Sequence, residues 1–527
     1  MAASLNNSDV SPSLLIRADA SEAIGMGHLM RCLALAQAWR RAGGKAHFAC
    51  AELPDGLRER LHQERCEAVN IHADVGSECD AEQTVQLAER LSAAALVLDG
   101  YRFAPGYASR LRRDGRRLLI IDDGATNATY DCDWVLNQNL SATAALYRGR
   151  ARGAQLLLGP RYALLDEPFA RQQPATETPP VARRVLVTFG GADPPNATRK
   201  VIEALARDEC SGLEAVVILG GGNPHRASLA RFVSNLPERV SLRIELVTDT
   251  REMSQHMAEA DIAVSAGGVT ALELACLGVP TLLIVIADNQ RAPAKAAAEC
   301  GFAQLLGRID QLDAASIAEA LAQLCGDAVR RDAMSRRGRE TVDGRGAERV
   351  VRTMRRPAVH LRAAGGDDCR LWWTWRNERE TRRLSFHSEE IPLQSHIAWY
   401  HESLANPRRR MFIVENDAHE PIGFVRLDLA DDSAEISLGL APEHRGRGYG
   451  EAVIRRAASE TLAAGNAEVV TAIVKEQNIA SRRVFEQAGF RIVERLMIGG
   501  EEAFKMQFPF TPGVKHEVRI SNLFPTS

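Results

Sequence analysis

Arg17-Ala-Asp-Ala, followed by Gly25-Met-Gly27-His28-Leu-Met-Arg31-Cys32, gathers an imidazole, two guanidiniums and two glycines into one short stretch. An imidazole can take a proton from water near neutral pH, the chemistry of a hydrolytic general base. Leu14, Leu15 and Ile16 read as a buried strand, and Leu29, Cys32, Leu33 and Ala36 fall at helical spacing. The Gly25-x-Gly27 turn therefore lies where a strand hands over to a helix, and the N–H groups of that helix end favour negative charge. Taken alone, these residues equally describe a nucleotide-fold turn with a solvated histidine. Two later stretches have comparable potential. Ala266-Gly267-Gly268-Val269-Thr270 runs into a helix carrying Leu272, Glu273, Ala275 and Cys276. Its bare N–H groups suit a pyrophosphate, and a carboxylate one turn on suits ribose hydroxyls; the plain alternative for Glu273 is a solvent-facing helix position. Farther on, Arg445-Gly446-Arg447-Gly448-Tyr449-Gly450 is a basic, glycine-rich loop between a strand and a helix. It is either a second pyrophosphate cradle or an exposed basic turn.

These residues need strands and helices to hold them, and 527 residues are enough for about three domains. The composition is that of a globular chain, 45% hydrophobic and 25% charged, with a formal net charge of −3. That balance does not point to nucleic acid as a partner. The ten cysteines are scattered without a C-x-x-C pair, which suggests reduced thiols in a cytoplasm and no zinc knuckle. No apolar run is long enough for a membrane span. Residues 1–13 read as a frayed lead-in and not as a secretory signal.

Over 14–172 strand-like runs alternate with helical stretches: Ala46–Ala49, then Ala95–Leu98 ending in Asp99-Gly100-Tyr101, then Leu118–Ile121 ending in Asp122-Asp123. Polar residues at the carboxyl ends of apolar strands are typical of an open parallel α/β sheet. Asp122-Asp123 is open to two readings, a divalent-metal site or a loop cap. The Gln172–Pro180 stretch reads as a linker. A second unit over 181–356 has strands at Arg184–Phe189, Ala215–Leu219, Asp261–Ser265 and, as the expected last, Thr281–Ile286. Each is followed by a polar or glycine-rich turn: Gly190-Gly191-Ala-Asp193, Gly220-Gly221-Gly222, Gly267-Gly268 and Asp288-Asn289-Gln290.

In order, the motifs Arg17-x-Asp, Gly25-x-Gly27-His28-x-x-Arg31, Asp99-Gly-Tyr101, Leu158-Gly-Pro-Arg-Tyr162, Gly190-Gly191-Ala-Asp193, Gly267-Gly268-x-Thr270-x-x-Glu273, Asn289-Gln290 and Asp343-Gly-Arg-Gly-Ala347 resemble the UDP-sugar hydrolases of pseudaminic acid biosynthesis. The resemblance spans about 14–352. It implies two Rossmann-like domains facing a cleft, as in GT-B glycosyltransferases, and release of UDP from UDP-2,4-diacetamido-2,4,6-trideoxy-β-L-altropyranose. It places His28 as the base, Tyr101 and Asn289 beside the sugar, and Gly267, Gly268 and Glu273 on the UDP. Arg17, Gly27, Arg31, Gly190, Gly191, Asp193, Thr270 and Gln290 follow as substrate-binding positions. No metal is expected.

A different texture begins after Pro357. Leu371-Trp372-Trp373-Thr-Trp375-Arg376-Asn377 is aromatic-rich, and His387, His396 and His401 follow without metal-ligand spacing. Strands at Met411–Glu415, Pro421–Leu429 and Ala434–Leu440 lead into the basic loop, and Asn478…Phe485…Gly489-Phe490 comes later. The loop and this last segment resemble the GNAT N-acetyltransferases over 359–510, an α+β domain followed by a tail at 511–527. The resemblance implies acetyl-CoA held by Arg445, Gly446, Arg447, Gly448 and Gly450, with Leu438 and Leu440 pairing the pantetheine arm and Asn478 assisting. Glu435 is a candidate base for the acceptor amine or a packing residue. Phe485 departs from the family pattern, where a tyrosine commonly protonates the leaving thiolate.

The expectation is a bifunctional cytoplasmic enzyme with UDP-amino-sugars and acetyl-CoA as its small-molecule partners: N-acetylation of a UDP-4-amino-sugar, then hydrolysis of the UDP-diacetamido-sugar so formed. The alternatives are a glycosyltransferase using the same cleft and a GNAT fold that only senses acetyl-CoA. Oligomeric state is not readable from the sequence.

Overall fold

A computed structural model describes residues 11–21, 26–113, 116–151, 153–172, 178–236, 242–416, 418–508 and 521–522. Gly25, residues 1–10 of the lead-in, most of the linker, residues 509–510 and, in the tail, 511–520 and 523–527 lie outside the described residues. The chain divides into two compact units. One comprises residues 1–124, 135–143 and 157–351; the other comprises 125–134, 144–156 and 352–527.

The first unit holds two open sheets. The first sheet is built from β1 (Ser13–Ala18), β2 (Lys45–Cys50), β3 (Glu67–Asn70), β4 (Ala93–Asp99), β5 (Leu118–Ile121), β6 (Trp134–Asn137) and β7 (Gln155–Leu158), in the order β3-β2-β1-β4-β5-β6-β7. The second is built from β8 (Arg184–Thr188), β9 (Glu214–Leu219), β10 (Arg243–Thr248), β11 (Ile262–Ala266), β12 (Thr281–Val285) and β13 (Ala303–Arg308), in the order β10-β9-β8-β11-β12-β13. β1 runs parallel to β2 and β4, and β8 to β9 and β11. Both orders are doubly wound, reversing direction between β1 and β4 and between β8 and β11. Two Rossmann-like halves follow, as the sequence leads one to expect. β1 and β11 are buried at every residue, which is why they read as plain apolar runs.

Thr281–Val285 is not the last strand of the second half. β13 follows it as an edge strand, half-buried over Gln304–Arg308, and its mixed composition hides it from pattern reading. The edge strands β3 and β10 were hidden for the same reason, each being half-buried or exposed throughout.

The second unit is built on one mixed sheet: β14 (His360–Ala363), β15 (Arg409–Glu415), β16 (Pro421–Leu429), β17 (Ser433–Leu440), β18 (Val469–Lys475), β19 (Arg491–Ile498), β20 (Glu501–Phe508) and β21 (Ser521–Asn522). Its order is β14-β15-β16-β17-β18-β20-β19-β21. One face packs on the helices Tyr449–Ala463 and Ile479–Ala488 through Ile436, Val453, Ala457, Phe485 and Phe490. The other carries the helix Cys369–Asn377 through Trp372, Phe424 and Tyr400. Segments expected in the first domain also belong to this unit, where Gly149 N donates to Ala463 O at 2.7 Å.

Candidate functional site

The first site lies at the switch point between β1 and β4. The helix Gly27–Arg41 follows β1 and carries His28 and Arg31 one turn apart, while Asp99 closes β4. His28 Nδ1 is 2.7 Å from Asp99 Oδ1. Arg31 grips the same carboxylate through Nε at 2.7 Å and Nη2 at 2.6 Å, and its Nη1 reaches Asp123 Oδ1 at 2.7 Å. Arg31 Nη2 also lies 3.0 Å from Nδ1, but its shorter bond at 2.6 Å goes to Asp99 Oδ1. An imidazole lone pair facing that carboxylate at 2.7 Å would be repelled, so we assign the proton to Nδ1, which donates it to Asp99. Nε2 is then the acceptor, the form a general base needs. Burial alone would raise the Asp99 carboxyl, but the charge and hydrogen bonds of Arg31, with the His28 bond, hold it well below the carboxylate range. Asp99 thus stays ionised and fixes the tautomer.

Tyr101 stands edge-on to the His28 ring, with centroids 4.8 Å apart, and donates to Asp123 Oδ2 at 2.6 Å. Burial, then the neighbouring Asp123, pushes its phenol well above its ordinary range, so it remains a donor. With Arg31 and Tyr101 on its two oxygens, Asp123 works as an anchor for the site. Among the described residues no group of three or more His, Cys, Asp or Glu side chains is disposed to hold a metal. His396 is buried, with Nε2 3.2 Å from Cys369 O.

Arg17 does not face a ligand. It is fully buried, donates twice to Asp80 at 2.8 Å and lies 2.8 Å from Asp19 Oδ2, so its guanidinium ties strand to helix. Gly27 is exposed, with open space where a side chain would project.

The second half contributes three turns. A Cβ on Gly220 would fall 2.5 Å from Gly191 Cα, so the turns after β8 and β9 pack backbone to backbone. A Cβ on Gly191 would touch the Met26 methyl at 3.6 Å, which brings the Gly190-Gly191 turn beside the residue preceding the His28 helix. Asp193 is a helix cap instead of a ligand contact. Its carboxylate accepts from Ala197 N, Thr198 N and Thr198 Oγ1 at 2.8, 2.9 and 2.7 Å. Gly267 and Gly268 differ in purpose. A Cβ on Gly267 would meet Ala294 at 2.7 Å, so this glycine lets two helices approach. Gly268 is the exposed N-cap of the helix Val269–Leu277, open around its Cα, and no side chain caps the first-turn N–H groups. Thr270 and Glu273 lie half-buried on this helix. Burial, then Asp166, pushes the Glu273 carboxyl up to about 7. Asn289 is exposed after β12, and Gln290 Oε1 accepts from Ile286 N at 3.1 Å, fixing that turn.

In the second unit the central feature is a splay. β17 pairs with β18 only from Ser433 to Glu435, although β17 continues to Leu440. Ala441 N donates to Ile422 O, which makes Leu440–Gly423 a non-hydrogen-bonded pair of the β16–β17 ladder. By alternation, the backbone groups of Leu438 and Leu440 point away from β16 into the splay. The Leu440 carbonyl takes a bond from Arg445 Nε at 3.0 Å. The Arg445 guanidinium is further held by Thr381 Oγ1 at 2.8 Å and Glu378 Oε2 at 2.9 Å, so it braces the loop and does not face an open pyrophosphate site. Arg447 is the exposed cation of the loop. Gly446 and Gly448 hold φ of +72° and +86°, and Gly448 caps the helix Tyr449–Ala463. A Cβ on Gly450 would lie 3.3 Å from Val484 and 3.8 Å from Leu440, so added bulk would crowd the inner wall. The open strand edge, the bare helix start and Arg447 fit a pantetheine arm and its pyrophosphate. Asn478 caps the helix Ile479–Ala488 by accepting from Ser481 N at 3.0 Å. Phe485 is buried against Phe490, with centroids 5.0 Å apart. Glu435 is half-buried on the face opposite the Tyr449–Ala463 helix, and burial followed by Asp428 raises its carboxyl.

Pattern reading did not single out Asp99, and it offered Asp123 only as half of a metal pair or a loop cap, whereas its carboxylate accepts from Arg31 and Tyr101. Their one signal was their position as acids at strand ends.

Two doubly wound sheets with polar switch points, followed by a splayed mixed sheet with a glycine-rich helix start, make a nucleotide-fold pair joined to an α+β module. Residues 185–348 match the glycosyltransferase family 28 C-terminal domain, and residues 359–491 match the acetyltransferase (GNAT) domain. The chain is 27% identical over 194 residues to the spore coat polysaccharide biosynthesis protein SpsG of Bacillus subtilis, covering 37% of this chain and 56% of SpsG, just over half that relative's length. It is 24% identical over 291 residues to the UDP-2,4-diacetamido-2,4,6-trideoxy-β-L-altropyranose hydrolase of Campylobacter jejuni, covering 55% of this chain and 97% of that protein. The spermidine N(1)-acetyltransferase of Vibrio cholerae is 26% identical over 147 residues, 27% of this chain and 85% of its own. No helix among the described residues is long and apolar enough to cross a membrane, and no disulfide is found among the described residues.

Proposed function

We propose that the chain is a bifunctional enzyme of nucleotide-sugar metabolism. The first unit hydrolyses a UDP-diacetamido-sugar of the altropyranose type, and the second N-acetylates the UDP-4-amino-sugar that precedes it. The observation that carries the hydrolytic reading is the 2.7 Å His28–Asp99 contact, which leaves Nε2 as a base. His28 Nε2 takes the proton of a water molecule, whose oxygen attacks the anomeric carbon. The bond from that carbon to the β-phosphate oxygen breaks, and UDP leaves with the electron pair. The helix N-terminus at Gly268 offsets the charge on the diphosphate, Glu273 meets the ribose, and Tyr101 and Asn289 border the sugar. In the second unit Glu435 accepts the amine proton, the nitrogen attacks the thioester carbonyl, and the carbon–sulfur bond breaks. Phe485 has no proton to give, so the thiolate of CoA leaves as such or is protonated by water. Joining the two steps in one chain raises the local concentration of the shared intermediate.

The test supplies purified protein with the UDP-4-amino-sugar, with and without acetyl-CoA, and follows UDP and free CoA thiol separately. CoA thiol should appear first, with UDP release dependent on acetyl-CoA. UDP release that requires a second sugar would replace the hydrolase with a glycosyltransferase. The buried Phe485 favours one other reading, an acetyl-CoA sensor, and binding of CoA without turnover of any amino-sugar would establish it.

The acetyl-transfer rate should also report Glu435. A base works only when ionised, and a raised carboxyl is lost as a base when pH falls through its raised pKa. The rate should therefore fall on acidification earlier than an ordinary glutamate dictates. Glu435→Gln should lower kcat roughly 10²-fold or more and remove that limb of the pH–rate profile. An unaltered profile would place the base elsewhere.

A further inference from the structure

Trp372 and Phe424 stack with ring centroids 4.4 Å apart, which fixes the helix Cys369–Asn377 on β16. Arg376 is one helical turn on from Trp372, and Arg426 is two residues on from Phe424 on the same face of the strand. Both spacings are about 6 Å, and the charge of Arg426 acts on Arg376, so the two guanidiniums lie near one another beside the stacked rings. Arg426 Nε lies 2.8 Å from Asp428, a carboxylate that Arg409 also holds at 2.6 Å. Arg376 donates to Ser385 Oγ at 2.7 Å and has no carboxylate partner among the described residues. Burial, then the charge of Arg426, pulls its proton affinity below the ordinary arginine value. In the strand register Ser437 stands opposite Arg426 and Glu435 opposite Asp428, so the cations border the point where β17 leaves β18. Arg426 and Lys505 are the positive charges acting on Glu435.

Like charges that are partly withdrawn from water need an anion to offset them, and the protein supplies none to Arg376. We propose that Arg376 and Arg426 form an anion-recognising pair that selects a phosphate-bearing amine as the acetyl acceptor. Bidentate guanidinium recognition of phosphate is the chemistry such a pair performs best. A polyamine would bring its remaining ammonium groups against the same cations. The inference rests on the acetyltransferase reading, and a nucleoside-diphosphate-linked amino-sugar is the acceptor that this reading supplies.

The test compares Arg376→Gln and Arg376→Lys with the unaltered full chain, using acetyl-CoA and four amines: the UDP-4-amino-sugar, the same amino-sugar without phosphate, O-phosphoethanolamine and spermidine. Arg376→Gln should raise KM for the phosphate-bearing amines about 10- to 100-fold, the loss expected for a charge-assisted hydrogen bond. Its kcat, its Kd for CoA and its KM for the phosphate-free sugar should stay unchanged, and Arg376→Lys should restore part of the affinity. An equal rise for the phosphate-free sugar would overturn the pair, as would spermidine being the better substrate of the unaltered protein. Acetylation of the UDP-4-amino-sugar with an unchanged KM in Arg376→Gln would also overturn it while leaving the amino-sugar reading standing. Arg376-dependent acetylation of O-phosphoethanolamine alone would support the pair and remove the amino-sugar reading. Failure to acetylate any amine would overturn both.

Discussion

His28→Asn is expected to slow UDP release roughly 10²- to 10⁴-fold, the usual contribution of a positioned general base, and to leave acetyl transfer at its original rate. Asparagine can still donate to Asp99, whose charge remains matched by two bonds from Arg31, so no buried ion is left without a partner. The fold should therefore survive, with an unchanged melting temperature. What is lost is the Nε2 lone pair. A UDP-release assay on the diacetamido-sugar, run beside a thiol assay on the amino-sugar, separates the two activities. A His28→Asn rate within an order of magnitude of the original would remove the histidine from the chemistry. Loss of acetyl transfer in the same variant would mean that the change propagates beyond its site.

The sequence showed which turns matter better than it showed which side chains face a ligand. Strands buried on every residue, such as β1 and β11, leave a short run of mainly apolar and small residues that ends at a polar or glycine-bearing turn. Edge strands such as β10 and β13 expose half their residues and so share the texture of loops. The site residues divide along a similar line. His28 follows directly from a strand–turn–helix pattern, because its position on the first helical turn is a local matter. Arg17 sits in the same motif but is drawn inward by Asp80, sixty-three positions away, and no local pattern announces that partner. Asp193 and Arg445 repeat the lesson. Each lies in a glycine-rich turn that reads as a ligand loop, and each is committed to holding the loop, Asp193 as a helix cap and Arg445 through Leu440, Thr381 and Glu378. Asp99 is the converse case. An acid at a strand end carries no special mark until the doubly wound order brings it against the helix bearing His28.

Gly448→Val should abolish acetyl transfer and weaken CoA binding more than tenfold while UDP release continues. Gly448 holds φ at +86° as the residue that starts the helix Tyr449–Ala463. A β-branched side chain in that conformation costs on the order of 1–3 kcal/mol, and relief of the strain would turn the first N–H groups of the helix away from the pyrophosphate. The space beside Gly448 is otherwise open, with Pro357 as the nearest group at 3.8 Å, so the effect is conformational and not a clash. Gly450→Ala is the contrasting change. Its backbone tolerates alanine, but the added methyl meets Val484 at 3.3 Å on the inner wall, so it should weaken CoA binding less and leave kcat nearly intact. Titration calorimetry with CoA, paired with the two product assays, reads all of these effects. If Gly448→Val binds CoA as tightly as the unaltered protein, the pyrophosphate does not rest on this helix start, and the exposed Arg447 would have to hold it instead.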